Sequence, residues 1–91
     1  MLKVEYTTKF KRDLKLAKKR KNNLNALRDI MKKIEHEEKL NLKLKDHPLS
    51  SNWKGYRELH IEPDWLLIYK LIPEERIVIF VRTGTYFDLF S

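Results

Sequence analysis

Residues 53–83 read WKGYRELHIEPDWLLIYKLIPEERIVIFVRT, and the punctuation of this stretch decides the fold. Turns at Glu62–Pro63 and at Pro73–Glu74 divide it into three short runs rich in β-branched and aromatic residues. Such runs predict three sequential antiparallel strands. The middle one, Trp65 to Ile72, is nearly all apolar, as a strand covered on both faces must be. The first alternates, with Tyr56, Glu58 and His60 on one face and Arg57, Leu59 and Ile61 on the other. The former face reads as polar and solvated, and it is the natural place to look for a working surface.

Upstream, LKVEYT alternates over Leu2 to Tyr6 and predicts a further strand. Thr7 or Thr8 then caps a helix. Within Lys9 to Arg20, the residues Phe10, Leu14 and Ala17 recur at helical spacing, leaving Lys11, Arg12, Lys15, Lys18 and Lys19 on the remaining faces. Asn22 and Asn23 interrupt that pattern and cap a second helix, whose stripe runs through Leu24, Leu27, Ile30 or Met31, and Ile34 and ends near Glu37. The stretch Glu38 to Asn52 has no period, contains Pro48, and is long enough to be a functional loop. The expected architecture is α+β: two antiparallel helices packed on a small, mainly antiparallel four-stranded sheet, forming one domain over residues 1–91.

Composition narrows the chemistry. With 91 residues and no cysteine, the chain has room for one modest core, and disulfides, thiolate nucleophiles and thiolate zinc sites are excluded. No apolar run approaches the roughly 20 residues needed to cross a bilayer, and MLKVEYTTKF lacks the apolar stretch of a signal peptide. No membrane partner and a cytoplasmic location are therefore expected. The only two glycines, Gly55 and Gly84, make no phosphate-cradling loop. The formal charge of +7 is lopsided, since residues 1–33 hold twelve Lys or Arg against three acids while residues 34–91 carry a slight acidic excess. An amino-terminal field of this kind attracts polyanions, either nucleic acid or an acidic protein, although a charge run also serves simply as a solvated helix face.

The three histidines are the side chains whose ordinary pKa lies nearest neutrality. His36, among glutamates at the end of the second helix, reads as structural. His47 precedes Pro48, which biases its backbone towards an extended shape. His60 lies on the polar strand face, and Asp64 comes only four residues later, within reach across the hairpin end. Arg82 falls near the end of the last strand, with Tyr86 and Phe90 beyond it. If the target is RNA, its own 2′-hydroxyl is the nucleophile and neither metal nor cofactor is required. The protein then has only to remove a proton, return one to the leaving oxygen and stabilise the phosphate. A metal site built from His47, His60 and Asp64 is a weaker reading, because no zinc-type spacing is present.

The segments KDHPL, WKGYRELHIEPDWLLIYK and RTGTYFDLF, in this order and spacing, resemble the YafQ-type toxins of the RelE superfamily. The resemblance covers Lys45 to Phe90 specifically and the amino-terminal strand and hairpin more generically. It implies a microbial RNase fold and metal-independent, ribosome-dependent cleavage of messenger RNA in the decoding site. It further implies catalytic roles for His47, His60, Asp64 and Arg82, and a carboxy-terminal aromatic at Phe90 that stacks on a base. Lys11, Arg12, Lys15, Lys18, Lys19 and Lys54 would grip ribosomal RNA. The implied partners are the ribosome with its messenger and a cognate antitoxin of the ribbon-helix-helix kind, through which alone operon DNA would be contacted. One departure stands out: Tyr86 occupies a position where the YafQ-like pattern commonly has histidine. Tyrosine, with a reference pKa near 10, donates a proton more readily than it accepts one. The alternative to an enzyme is a non-catalytic basic module that binds RNA or a partner with the same fold.

Overall fold

The computed structural model describes residues 1–91. Strand β1 (Lys3–Tyr6) leads into helices α1 (Thr8–Lys19) and α2 (Leu24–Glu35); strands β2 (His47–Pro48), β3 (Arg57–Glu62), β4 (Trp65–Ile72) and β5 (Ile77–Gly84) come next, and helix α3 (Tyr86–Phe90) closes the order. Helix α1 begins where it does because Thr7 is extended and its hydroxyl accepts from the Phe10 N–H at 2.9 Å. The same hydroxyl donates to the Val81 carbonyl at 2.7 Å, so the cap also pins the helix start to β5. Asn23 caps α2 in the same manner, accepting from the Ala26 N–H at 3.1 Å.

The strands form one sheet in the order β1-β5-β4-β3-β2, with β1 parallel to β5 and every other pair antiparallel. The sheet thus has five strands where four were expected. The additional strand is β2, two residues within the unpatterned loop, in which His47 pairs with Glu58 and Pro48 with Arg57. Proline has no N–H to offer a further neighbour, which suits an outermost strand. The Leu49 N–H extends the attachment by donating to the Tyr56 carbonyl at 2.8 Å.

Helices α1 and α2 cover one face of the sheet. Phe10 and Leu27 pack there against Leu59, Leu67, Val78 and Phe80, all fully buried. On the opposite face Leu66 and Ile68 of β4 are covered by Leu89 of α3, with Leu49, Trp53 and Phe90 at the margins. Burial on both faces is what the apolar run of β4 required. Helix α3 adds to the expected elements. It is held by a reciprocal capping box, in which the Thr85 hydroxyl accepts from the Asp88 N–H at 3.0 Å and the Asp88 carboxylate accepts from the Thr85 N–H at 2.9 Å. The Thr-x-x-Asp spacing is the sequence signal that announces it.

Candidate active site

The strand register gathers the histidines on the face opposite α1 and α2. His60 pairs with Leu66, Glu58 with Ile68, and His47 with Glu58, so both imidazoles and the carboxylate project from the same side of the sheet. This face is less open than the alternation suggests, because Glu58 is only 7% exposed. A carboxylate so placed needs a partner. His47 supplies one, its Nε2 lying 3.3 Å from Oε1 of Glu58. The other ring nitrogen, Nδ1, is 3.0 Å from the Pro48 carbonyl. Both nitrogens face acceptors, and the doubly protonated ring makes both bonds at once.

His60 is arranged differently. Its Nδ1 is 3.3 Å from the Pro63 carbonyl, and since a carbonyl only accepts, the ring donates there and keeps its Nε2 lone pair free in the neutral form. The two rings thus differ in their surroundings, His47 facing an acceptor at each nitrogen and His60 at Nδ1. Beside His60 runs an open groove whose walls include Lys43 and Lys45. Sequence proximity assigns the orienting of His60 to Asp64, but the Pro63 carbonyl makes that contact. A register shift between His60 and Glu62 alters the path of the chain into the turn. Asp64 is exposed and lines a small pocket with Arg20, Thr85 and Asp88. His47, His60 and Asp64 accordingly do not come together as a metal-binding group.

Arg82 stands opposite Ile68 in the ladder, in one row with Glu58. Its guanidinium is forked onto Asp13 of α1, with Nε–Oδ2 at 2.7 Å and Nη2–Oδ1 at 3.2 Å, and the Thr83 N–H donates to the same carboxylate at 3.1 Å. The hydrogen bond to Asp13 raises the arginine's pKa above its ordinary value, so the cation is permanent. Only Nη1 lies outside the fork.

Aromatic rings border the histidine face. Phe90 packs between Trp53, at 5.7 Å between ring centroids, and Tyr86, at 5.0 Å; Trp53 in turn meets Tyr56 at 5.4 Å, and the Lys70 ammonium lies 5.1 Å from the Tyr56 ring centre. Phe90 is partly buried by these neighbours, whereas Tyr86 and Phe87 are 66% and 75% exposed. The rings most open to a nucleobase are therefore those at the start of α3. Phe87 and Trp53 were given no role in the sequence reading, Phe87 lying beyond the last strand and Trp53 ahead of the alternation of Tyr56, Glu58 and His60.

Helix α3 is clasped from α1. Arg20 grips Asp88 through Nη1–Oδ2 at 2.6 Å and Nη2–Oδ1 at 3.3 Å. The Arg20 hydrogen bond, followed by the Thr85 N–H, holds the Asp88 carboxyl down at about 2. A carboxyl depressed in this way stabilises the fold above its unfolded pKa, near 4, and loses that contribution as pH falls through its folded value. Acid unfolding followed by circular dichroism should show an Asp88→Asn protein that is less stable than wild type at pH 7 and closes most of the gap by pH 2. Solvent screening keeps the contribution of this exposed ion pair small.

The cations of the amino-terminal hairpin, and Lys54, lie elsewhere. Lys11, Lys15 and Lys18, with Arg28, rim a groove between α1 and α2 floored by Leu14, Leu24 and Met31. Arg12, Lys19 and Lys54 are exposed outside that groove.

The family model for the bacterial YafQ toxin of type II toxin–antitoxin systems matches residues 2–91. The chain belongs to the YafQ toxin family. The mRNA interferase toxin YafQ of Escherichia coli strain B / BL21-DE3 is 48% identical over 89 residues, covering 97% of this chain and 95% of that protein. The crystal structure of YafQ from E. coli strain BL21(DE3) matches over all of both chains with a TM-score of 0.93 at 44% identity. The toxin of the E. coli DinJ-YafQ complex matches equally fully, at 0.90 and 46%. The YafQ resemblance drawn from KDHPL and the motifs after it is borne out, as is the α+β fold.

Proposed function

We propose that the chain is the toxin of a type II toxin–antitoxin module, an endoribonuclease that cuts messenger RNA in the decoding site of the ribosome. The observation that carries this reading is the complementary pair of histidines, His60 with its Nε2 free and His47 with both nitrogens facing acceptors, on a sheet face bordered by exposed rings. His60 takes the proton of the RNA 2′-hydroxyl as that oxygen attacks the adjacent phosphorus. The bond from phosphorus to the 5′-oxygen breaks, and His47 or the Tyr86 hydroxyl returns a proton to it, leaving a 2′,3′-cyclic phosphate and a 5′-hydroxyl. Arg82 stabilises the charge on the phosphate, and Phe90 with Tyr86 offers a stacking surface.

The cationic hairpin lies across the sheet from the histidines, which suits a division of labour. Lys11, Arg12, Lys15, Lys18 and Lys19 hold ribosomal RNA, with Lys54 nearer the aromatic rings, while the histidine face meets the messenger. Replacing Lys15, Lys18 and Lys19 with alanine should lower the slope of log affinity against log salt by about 2 to 3 in ribosome-binding titrations. An unchanged slope would remove α1 from the RNA interface. The same charge suits an acidic antitoxin, and the relative YafQ of E. coli forms a toxin–antitoxin complex with DinJ.

The test is cleavage of a ribosome-held messenger in a purified translation mixture at constant magnesium. Wild type should cut within the decoding site, and Tyr86→Phe should cut about tenfold more slowly, His47 remaining as the second donor. A wild-type protein that binds ribosomes without cutting, and whose induction leaves growth unaffected, is instead a binding module. The tyrosine in place of histidine at position 86 is the observation that keeps that reading in play.

A further inference from the structure

We infer that Asp46, Arg57 and Tyr69, which meet on the helix side of the sheet, form a device that positions His47 on the opposite side. The inference rests on the reading of His47 as a proton donor and adds the residues that hold it there. The Asp46 carboxylate receives three donors: the Tyr69 hydroxyl at 2.6 Å, Arg57 Nη2 at 3.0 Å, and Arg57 Nε at 3.3 Å to the same oxygen as Nη2. Arg57 and Tyr69 are directly paired across β3 and β4, so the donors are fixed relative to each other by the sheet before Asp46 arrives. Tyr69 is buried, and its pKa is raised first by that burial and then by Asp46, so its hydroxyl remains a donor throughout the physiological range.

The other attachments of this segment, the β2–β3 pairing and the Leu49 N–H, all lie at or after His47. Strand β2 is two residues long and lies at the edge of the sheet. Lys45, immediately before Asp46, has φ of 53°, a left-handed conformation disfavoured for a residue with a β-carbon and maintained only when its surroundings over-determine it. Consecutive residues of an extended segment project to opposite faces. Fixing Asp46 on the helix side therefore fixes the direction in which His47 leaves the backbone on the other, with Nε2 at Glu58 and Nδ1 at the Pro48 carbonyl. Asp46 touches neither histidine and acts through the backbone of its neighbour.

A double-mutant cycle on ribosome-bound messenger tests this, with Tyr69→Phe and Asp46→Ala each made in wild-type and His47→Ala backgrounds. In the wild-type background each should slow single-turnover cleavage at saturating toxin by about tenfold or more, and leave the half-saturating concentration within about twofold. In the His47→Ala background the same changes should slow it by less than about twofold. Equal slowing in both backgrounds, or none in either beside a slow His47→Ala, overturns the positioning role and leaves the reading of His47 intact. A His47→Ala protein that cuts at the wild-type rate overturns that reading and the inference with it. Tyr69→Phe keeps the ring packed in the core and decides the matter if Asp46→Ala unfolds.

Discussion

The His60→Ala protein is expected to bind ribosomes as wild type does and to cleave the bound messenger about 10²- to 10⁴-fold more slowly, the range for loss of a general base. The imidazole is partly exposed at the end of β3, and its hydrogen bond to the Pro63 carbonyl belongs to a turn that backbone pairing already forms. Truncation therefore removes the proton acceptor while leaving β3 and β4 in register. Binding should survive because the cationic hairpin lies on the other face. Single-turnover cleavage measured beside ribosome co-sedimentation separates the two quantities. A rate equal to wild type would dismiss His60 from the chemistry.

The largest effect on stability is expected from Phe80→Ala. Phe80 is 1% exposed, packs with Phe10 at 5.9 Å and Tyr6 at 6.0 Å between ring centroids, and so joins β5 to α1 and β1. Removing a buried ring of this kind costs about 3–5 kcal/mol through lost transfer energy and the cavity left behind, a large part of the whole stability of a small domain. Thermal unfolding should begin at least about 12 °C lower. Leu42→Ala, at a side chain 88% exposed, is the control and should change stability by no more than about 0.5 kcal/mol. A small shift for Phe80→Ala would mean that the cavity collapses and the aromatic cluster is not the keystone of the helix side.

Both helices and the four longer strands were legible in the sequence, the helices from a stripe repeating every 3.6 residues or so, β1 and β3 from alternation, and β4 from a continuous apolar run. Strand β2 was not, since two residues cannot display a period. Helix α3 was not, since its five residues beyond the last strand are too few to show a helical stripe, although Thr85 and Asp88 carried a usable signal. Within the site, alternation placed Glu58 and His60 on one face correctly. It gave no hint that Glu58 would be buried, because the covering partner, His47, comes from a loop whose position depends on the finished sheet. Asp64 and Arg82 illustrate the same limit. Nearness in sequence paired Asp64 with His60, while Arg82 found Asp13 across 69 residues.

The parallel pairing of β1 with β5 also has a consequence in time. It joins residues 3–6 to residues 77–80, so the first strand to be synthesised has no partner until the last one exists. The Asp13 carboxylate waits as long for Arg82, and Arg20 for Asp88. Closure of the sheet therefore waits on its latest strand, and the ion pairs that tie α1 to β5 and α3 form only with it.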